Sequence, residues 1–234
     1  MLISCQETIE DPMVPTTIDD ITQQNTGMYP LASISDSLTF LALGDSYTVG
    51  TAEARENSWP VQFVDKLREN NVPAFDPLII AGAGWTTNNL LTILERRNIQ
   101  EKYDLVSLLI GVNNQFQGID FAVFKQQFQE LIEYARSRVR DQRGLFVLSI
   151  PDYGATPFGQ SNETQIGADI DMYNAHIQEV CEKEGIVYYD VTEISRQAKN
   201  NPDLLAQDNL HPSKDMYALW VETILTSPPV LLEE

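Results

Sequence analysis

Few residues in this chain could do covalent chemistry, and their order along it is informative. Among 234 residues there are two histidines, His176 and His211. His211 stands three positions after an acid, in Asp208-Asn209-Leu210-His211-Pro212. Near the other end, the apolar run Phe40 to Leu43 stops abruptly at Gly44-Asp45-Ser46. A serine hydroxyl is a poor nucleophile until a base lies within reach and a third group orients that base. A strand-end serine and a distant Asp-x-x-His are the parts of a Ser-His-Asp triad. In such a set Ser46 attacks a carbonyl. His211 takes its proton and later returns one to the leaving alcohol, and Asp208 holds the other ring nitrogen. A loop or helix starting at Ser46 would leave its backbone N–H free to face the oxyanion. Each residue also has a plainer job: Ser46 as a turn or N-cap serine, Asp208 as the cap of the last helix with Pro212 at its start. No acid or serine motif flanks His176, which reads as a boundary residue on its helix.

Two further stretches join these. Gly84 lies in Ala81-Gly82-Ala83-Gly84-Trp85-Thr86, and Asn113 in Gly111-Val112-Asn113-Asn114. With Gly44-Asp45-Ser46 and Asp208 to His211, they form four blocks in the order that resembles the SGNH hydrolases, the GDSL-type esterases and lipases. The resemblance runs from about Thr39 almost to the C-terminus. It implies a flavodoxin-like, three-layer α/β/α fold and hydrolysis of a carboxylic ester through an acyl-enzyme on Ser46. It also implies an oxyanion hole made by the Ser46 and Gly84 N–H groups and the Asn113 side chain, with no metal or cofactor. Choosing Gly84 over Gly82 rests on the family's Gly-x-Thr context. The family usually has Asp after the block's asparagine; here Asn114 stands there, which clouds the support around the site. Such relatives act on lipid, thioester, aryl and sugar esters, so the resemblance leaves the acyl and alcohol parts open. Trp85, Tyr47 and Phe116 are candidate lining residues for an acyl or sugar pocket, and Tyr153 to Phe158 a candidate wall. A non-catalytic envelope binding protein and an acyltransferase remain as alternatives on the same scaffold.

Rival motifs fail. Gly82-x-Gly84 lacks the third glycine of a dinucleotide fingerprint, since position 87 is threonine. There is no His-Glu-x-x-His or Cys-x-x-Cys for zinc, and no Gly-x-Ser-x-Gly elbow.

These residues need elements to position them. Strands are expected at Thr39 to Leu43, Pro77 to Ala81, Asp104 to Ile110, Gly144 to Ile150 and Ile186 to Tyr189, alternating with amphipathic helices. Ser58 is the expected cap of a helix with Trp59, Phe63 and Leu67 inward, and Thr86 or Thr87 of one carrying Leu90, Leu91 and Leu94. Asp120 is the expected cap of a helix with Phe121, Phe124 and Phe128. The last helix should bury Met216, Leu219, Trp220 and Ile224. Such alternation builds βαβ units and a central parallel sheet of about five strands with helices on both faces. In open parallel sheets the site lies beyond the carboxyl ends of the strands. Ser46, Gly84 and Asn113 all follow strand ends, so one rim should hold all three.

Composition narrows the partners. Fifteen basic against 34 acidic residues give a net charge of −19, which repels phosphate backbones and anionic headgroups, so nucleic acid is not an expected partner. Two cysteines exclude a disulfide framework. Cys181 shares an apolar helical face with Ile170, Tyr173, Ile177 and Val180 and reads as a small buried hydrophobe. Cys5 differs: Leu2-Ile3-Ser4-Cys5 resembles a bacterial lipobox, and the polar, aperiodic stretch after it reads as a tether. Residues 1–37 are therefore expected to be a flexible tail ahead of a catalytic domain at 38–234. The first basic residue is Arg55, so no signal-peptide n-region or h-region precedes Cys5. Two readings stand. Either the sequence starts inside a signal peptide, and Cys5 carries lipid that attaches a cell-envelope or secreted protein to a membrane, or the lipobox is accidental and the protein is cytoplasmic.

Overall fold

The computed structural model describes residues 37–226. The expected tail up to residue 36, with Cys5 and its lipobox, lies outside them.

Five short strands form one wholly parallel sheet: β1 (Phe40–Asp45), β2 (Leu78–Gly82), β3 (Leu105–Leu109), β4 (Leu145–Leu148) and β5 (Val187–Tyr189). Their spatial order is β2-β1-β3-β4-β5. Every residue of β1, β3 and β4 is buried, as expected of strands covered on both faces by helices. The edge strands β2 and β5 are only partly buried. Strand ends differ from the sequence-based bounds by at most two residues, because pairing with neighbours, not hydrophobicity, sets where a ladder stops.

The helices are α1 (Ser46–Val49), α2 (Trp59–Glu69), α3 (Thr87–Arg97), α4 (Val112–Phe116), α5 (Phe121–Arg138), α6 (Glu163–Glu184), α7 (Thr192–Arg196) and α8 (Lys214–Thr226). Thr86 caps α3 through a reciprocal box with Asn89, and Asp120 caps α5 by accepting from the Ala122 N–H at 2.7 Å. Ser58 sits at the start of α2, yet its hydroxyl donates backward to the Arg55 carbonyl at 2.8 Å and caps nothing. Asp208 does not cap α8; Ser213 precedes that helix, and its hydroxyl accepts from the Met216 N–H at 3.4 Å. Trp59, Phe63 and Leu67 are buried as their spacing requires, while Leu91, Phe121 and Leu219 are half-buried against the core. Cys181 and its four apolar companions on α6 are buried.

The connection reverses direction between β1 and β3, which makes a crevice at their carboxyl ends. Register aligns those ends. Asp45 pairs with Gly82, and Gly44 with Leu109. The residues after β1, β2 and β3 therefore leave the sheet side by side, about 4.8 Å apart per strand. Among the described residues no helix is long and apolar enough to cross a membrane.

Candidate active site

Ser46 is the first residue of α1 and is 5% exposed. The chain turns straight from β1 into this helix because Asp45 caps it, accepting from the Tyr47 N–H at 3.0 Å. Gly50 ends it one turn later in the left-handed region, at φ 80°. A first-turn N–H has no partner within its own helix, so the Ser46 N–H is not consumed by α1. Gly44 makes the turn possible. A Cβ there would lie 2.2 Å from the Thr48 hydroxyl and 2.5 Å from the Leu109 carbonyl.

Burial of Asp45 is complete, and it raises the carboxyl from 3.8 to about 7 despite the opposing hydrogen bond from the Tyr47 N–H. Its Oδ2 makes no hydrogen bond among the described residues.

On the opposite side of the crevice one carboxylate shapes the loop and holds the imidazole. Asp208 Oδ1 accepts from the Leu210 and His211 N–H groups, both at 3.0 Å. Its Oδ2 lies 2.6 Å from His211 Nδ1. Asn209, at φ 58°, tightens the turn between them. The loop is clamped to residues 204–206: Ala206 N–H donates to the His211 carbonyl and Ser213 N–H to the Leu204 carbonyl, both at 2.8 Å. Burial opposes the Asp208 charge, but the hydrogen bonds from the His211 ring and from the His211 and Leu210 N–H groups outweigh it. The carboxyl is held below the usual carboxylate range. With Nδ1 engaged by Asp208, Nε2 is the nitrogen left to accept a proton. The Tyr47 ring meets the imidazole edge-on, with centroids 5.7 Å apart.

Gly84 follows β2 at φ 75°, a left-handed conformation that favours glycine. Nothing lies within 4 Å of where its Cβ would be, so its backbone is open to an approaching molecule. The Gln117 side chain donates to the Gly84 carbonyl at 3.1 Å, and Asn113 Nδ2 to the Trp85 carbonyl at 3.0 Å. These bonds tie α4 to the loop after β2. Asn114 ties the same parts from behind. It is fully buried, accepts from the Thr87 N–H at 3.0 Å and donates to the Thr87 hydroxyl at 2.7 Å.

One cavity of about 190 Å³ collects these groups: Ser46, Gly84, Asn113 and His211 all line it. Tyr47 and Phe116 line it too, but Trp85 does not. The indole of Trp85 lies over Gly82, where a Cβ would come within 2.3 Å of it. That packing turns the ring away from the cavity and also accounts for Gly82. Tyr153 and Phe158, from the expected wall, line the cavity with Val112 and Leu210. Nothing in their own neighbourhoods marks Val112 or Leu210, which look like ordinary core residues until the loops close. His176 takes no part. It packs against Phe121 at 5.9 Å between ring centroids, and burial and the nearby Lys125 lower its pKa. Among the described residues no group of three or more His, Cys, Asp or Glu could hold a metal ion.

Known proteins resemble this chain in sequence pattern and in fold. The model of the GDSL-like Lipase/Acylhydrolase family matches residues 42–219. A lipolytic protein of the G-D-S-L family from Veillonella parvula superposes with a TM-score of 0.66 at 15% identity, over 82% of this chain and 98% of that one. An acetylxylan esterase from Geobacillus stearothermophilus gives 0.63 at 18% identity, over 82% and 94%. A multidomain esterase of Ruminococcus flavefaciens is 25% identical over 153 residues, 60% of this chain. The chain spans only 18% of that protein's length. The structural likenesses carry the three-layer α/β/α fold, and the match over most of the chain carries the family: this chain belongs to the GDSL-like lipase/acylhydrolase family of carboxylic ester hydrolases.

Proposed function

We propose that the chain hydrolyses carboxylic esters through an acyl-enzyme on Ser46, with His211 as the base and Asp208 as its orienting partner. The observation that carries this reading is the 2.6 Å Asp208–His211 pair, whose imidazole shares one cavity with Ser46 at the end of β1.

The steps are as follows. The Ser46 hydroxyl gives its proton to His211 Nε2 as Oγ bonds to the ester carbonyl carbon. Charge moves to the carbonyl oxygen, which the Ser46 and Gly84 N–H groups and the Asn113 amide receive. An amide nitrogen carries two donors; one is used on the Trp85 carbonyl, and the other serves the oxyanion. His211 returns the proton to the leaving alkoxide as the carbon–oxygen bond breaks. Water repeats the sequence against the acyl-serine and frees the acid. Asp208 stays ionised and steadies the imidazolium in both halves.

The test is turnover of p-nitrophenyl esters combined with labelling by a fluorophosphonate. The wild-type protein should be labelled at Ser46. Ser46→Ala should lose the label and at least about 10,000-fold in turnover. Equal turnover by the two proteins, or a label on another residue, would overturn the assignment.

A further inference from the structure

The wall of the cavity beyond the proposed catalytic groups is aromatic. Phe116, Tyr153 and Phe158 form a closed trio, with ring centroids 5.8 to 6.2 Å apart. Phe116 and Phe158 are 55% and 54% exposed, the two most exposed large hydrophobics among the described residues. Large apolar side chains left this bare at the mouth of a cavity mark a place where something binds. The third ring is turned so that it offers only carbon. The Tyr153 hydroxyl donates to Gln115 Oε1 at 2.7 Å, and Gln115 Nε2 is held by Asp169 at 3.0 Å. This chain of bonds points the hydroxyl at α4 and α6 and leaves the ring to the cavity.

Polar side-chain groups on the lining residues are otherwise few. They are Ser46, Asn113, His211 and the hydroxyl of Tyr47. A sugar ring brings several hydroxyls, and each one buried without a partner costs more than it gains. An aliphatic chain asks for none.

Phe116 lies three residues after Asn113 on the same short helix, so the trio begins one turn from the amide that receives the carbonyl oxygen. The trio therefore lies beside the place of the carbonyl carbon, within reach of an acyl chain attached to it. The cavity, at about 190 Å³, is small beside the roughly 300–1,000 Å³ of pockets that hold drug-sized ligands, a size that suits a short to medium chain. We infer that Phe116, Tyr153 and Phe158 form an acyl-chain subsite, and that the preferred substrates are esters of straight-chain aliphatic acids of about four to eight carbons. Acetyl esters of carbohydrates are not its preferred class. The inference rests on the catalytic reading above.

The experiment measures kcat/KM on p-nitrophenyl esters from acetate to palmitate, and separately on acetates of alcohols of rising length. It uses wild-type protein, the double variant Phe116→Ala/Phe158→Ala and the double variant Phe116→Leu/Phe158→Leu. Labelling of Ser46 by a short ethyl fluorophosphonate checks each protein for a formed site. Both phenylalanines are more than half exposed, so truncating them leaves the core intact. In the wild type, kcat/KM should rise about fourfold per acyl methylene, the worth of burying one, and flatten beyond octanoate. The alanine variant should drop below about twofold per methylene, and the leucine variant should recover most of the slope. A labelled wild type whose profile is flat or falls from acetate to hexanoate overturns the subsite and leaves the catalytic reading intact. So does an alanine variant with the wild-type slope, or a slope that follows the alcohol instead of the acid. A wild type that takes no label removes the catalytic reading and the subsite with it.

Discussion

Replacing Asp45 by asparagine should stabilise the protein at neutral pH, although it alters the residue next to the proposed nucleophile. Asp45 is 0% exposed, and burial raises its carboxyl from 3.8 to about 7. Between those two values the unfolded chain has lost the proton and the folded chain still holds it. The unfolded state then binds fewer protons, so stability falls as pH rises, by about 1.4 kcal/mol per pH unit. The whole interval amounts to about 4 kcal/mol, present as a penalty at pH 7 and above and absent below pH 4. Asparagine carries no charge to bury. Its side-chain oxygen can still accept from the Tyr47 N–H, now bonded at 3.0 Å. Urea unfolding of the two proteins from pH 4 to pH 8 reads this directly. The difference should be near zero at pH 4, grow in favour of Asp45→Asn through pH 6, and level off above pH 7. Ester turnover is not needed for the readout. A difference that does not change with pH, or an asparagine variant that is less stable above pH 7, would show that the carboxylate is ionised in the folded protein. The N-terminus of α1 would then outweigh desolvation, and the reasoning would be refuted.

Two other substitutions test the site from different sides. Asn113→Ala should lower kcat on p-nitrophenyl esters by about 100- to 1,000-fold with a much smaller change in KM, the usual cost of one oxyanion donor; a loss confined to KM would make Asn113 a binding group instead. Alanine at Gly44 and at Gly84 should behave in opposite ways. Gly44→Ala forces a Cβ to within 2.2 Å of the Thr48 hydroxyl and 2.5 Å of a backbone carbonyl and should yield no folded protein. Gly84→Ala meets only open space at φ 75°, so its cost should be the left-handed strain of about 1–2 kcal/mol, read as a modest loss of Tm in thermal unfolding.

What the sequence made legible was the part governed by local rules. Alternating apolar runs and amphipathic stretches fixed a parallel sheet with helices on both faces, and strand ends fixed which rim carries Ser46, Gly84 and Asn113. The Asp208–His211 pair was readable because a three-residue spacing within one turn brings the two side chains together whatever the rest of the chain does. Trp85 shows where such rules stop. Its position beside Gly84 suggested a cavity residue, but the side chain went to the bare backbone of Gly82, a choice made by packing. The Tyr153–Gln115–Asp169 chain was invisible for a related reason. Its links join residues 38 and 54 positions apart, and nothing in either neighbourhood announces the partner.

Asn114 carries the same lesson to a place where the chain departs from the motif it resembles. An aspartate there could only accept, so both the Thr87 N–H and the Thr87 hydroxyl would have to donate to it. Asparagine accepts from the N–H and donates to the hydroxyl, at 3.0 and 2.7 Å. That frees the hydroxyl proton, and it goes to Gln127 Oε1 at 2.6 Å. Asparagine at 114, threonine at 87 and glutamine at 127 thus form a consistent set of donors and acceptors without a charge, the first two buried and the third half-buried. The exchange leaves Asn113 in place and keeps α4 bound to the start of α3. A departure that looked like a weakened motif in one dimension is, in three, a neutral way of attaching α4 to the start of α3. The partners that balance it lie 27 and 13 residues away in sequence, on elements that meet only when the sheet has formed.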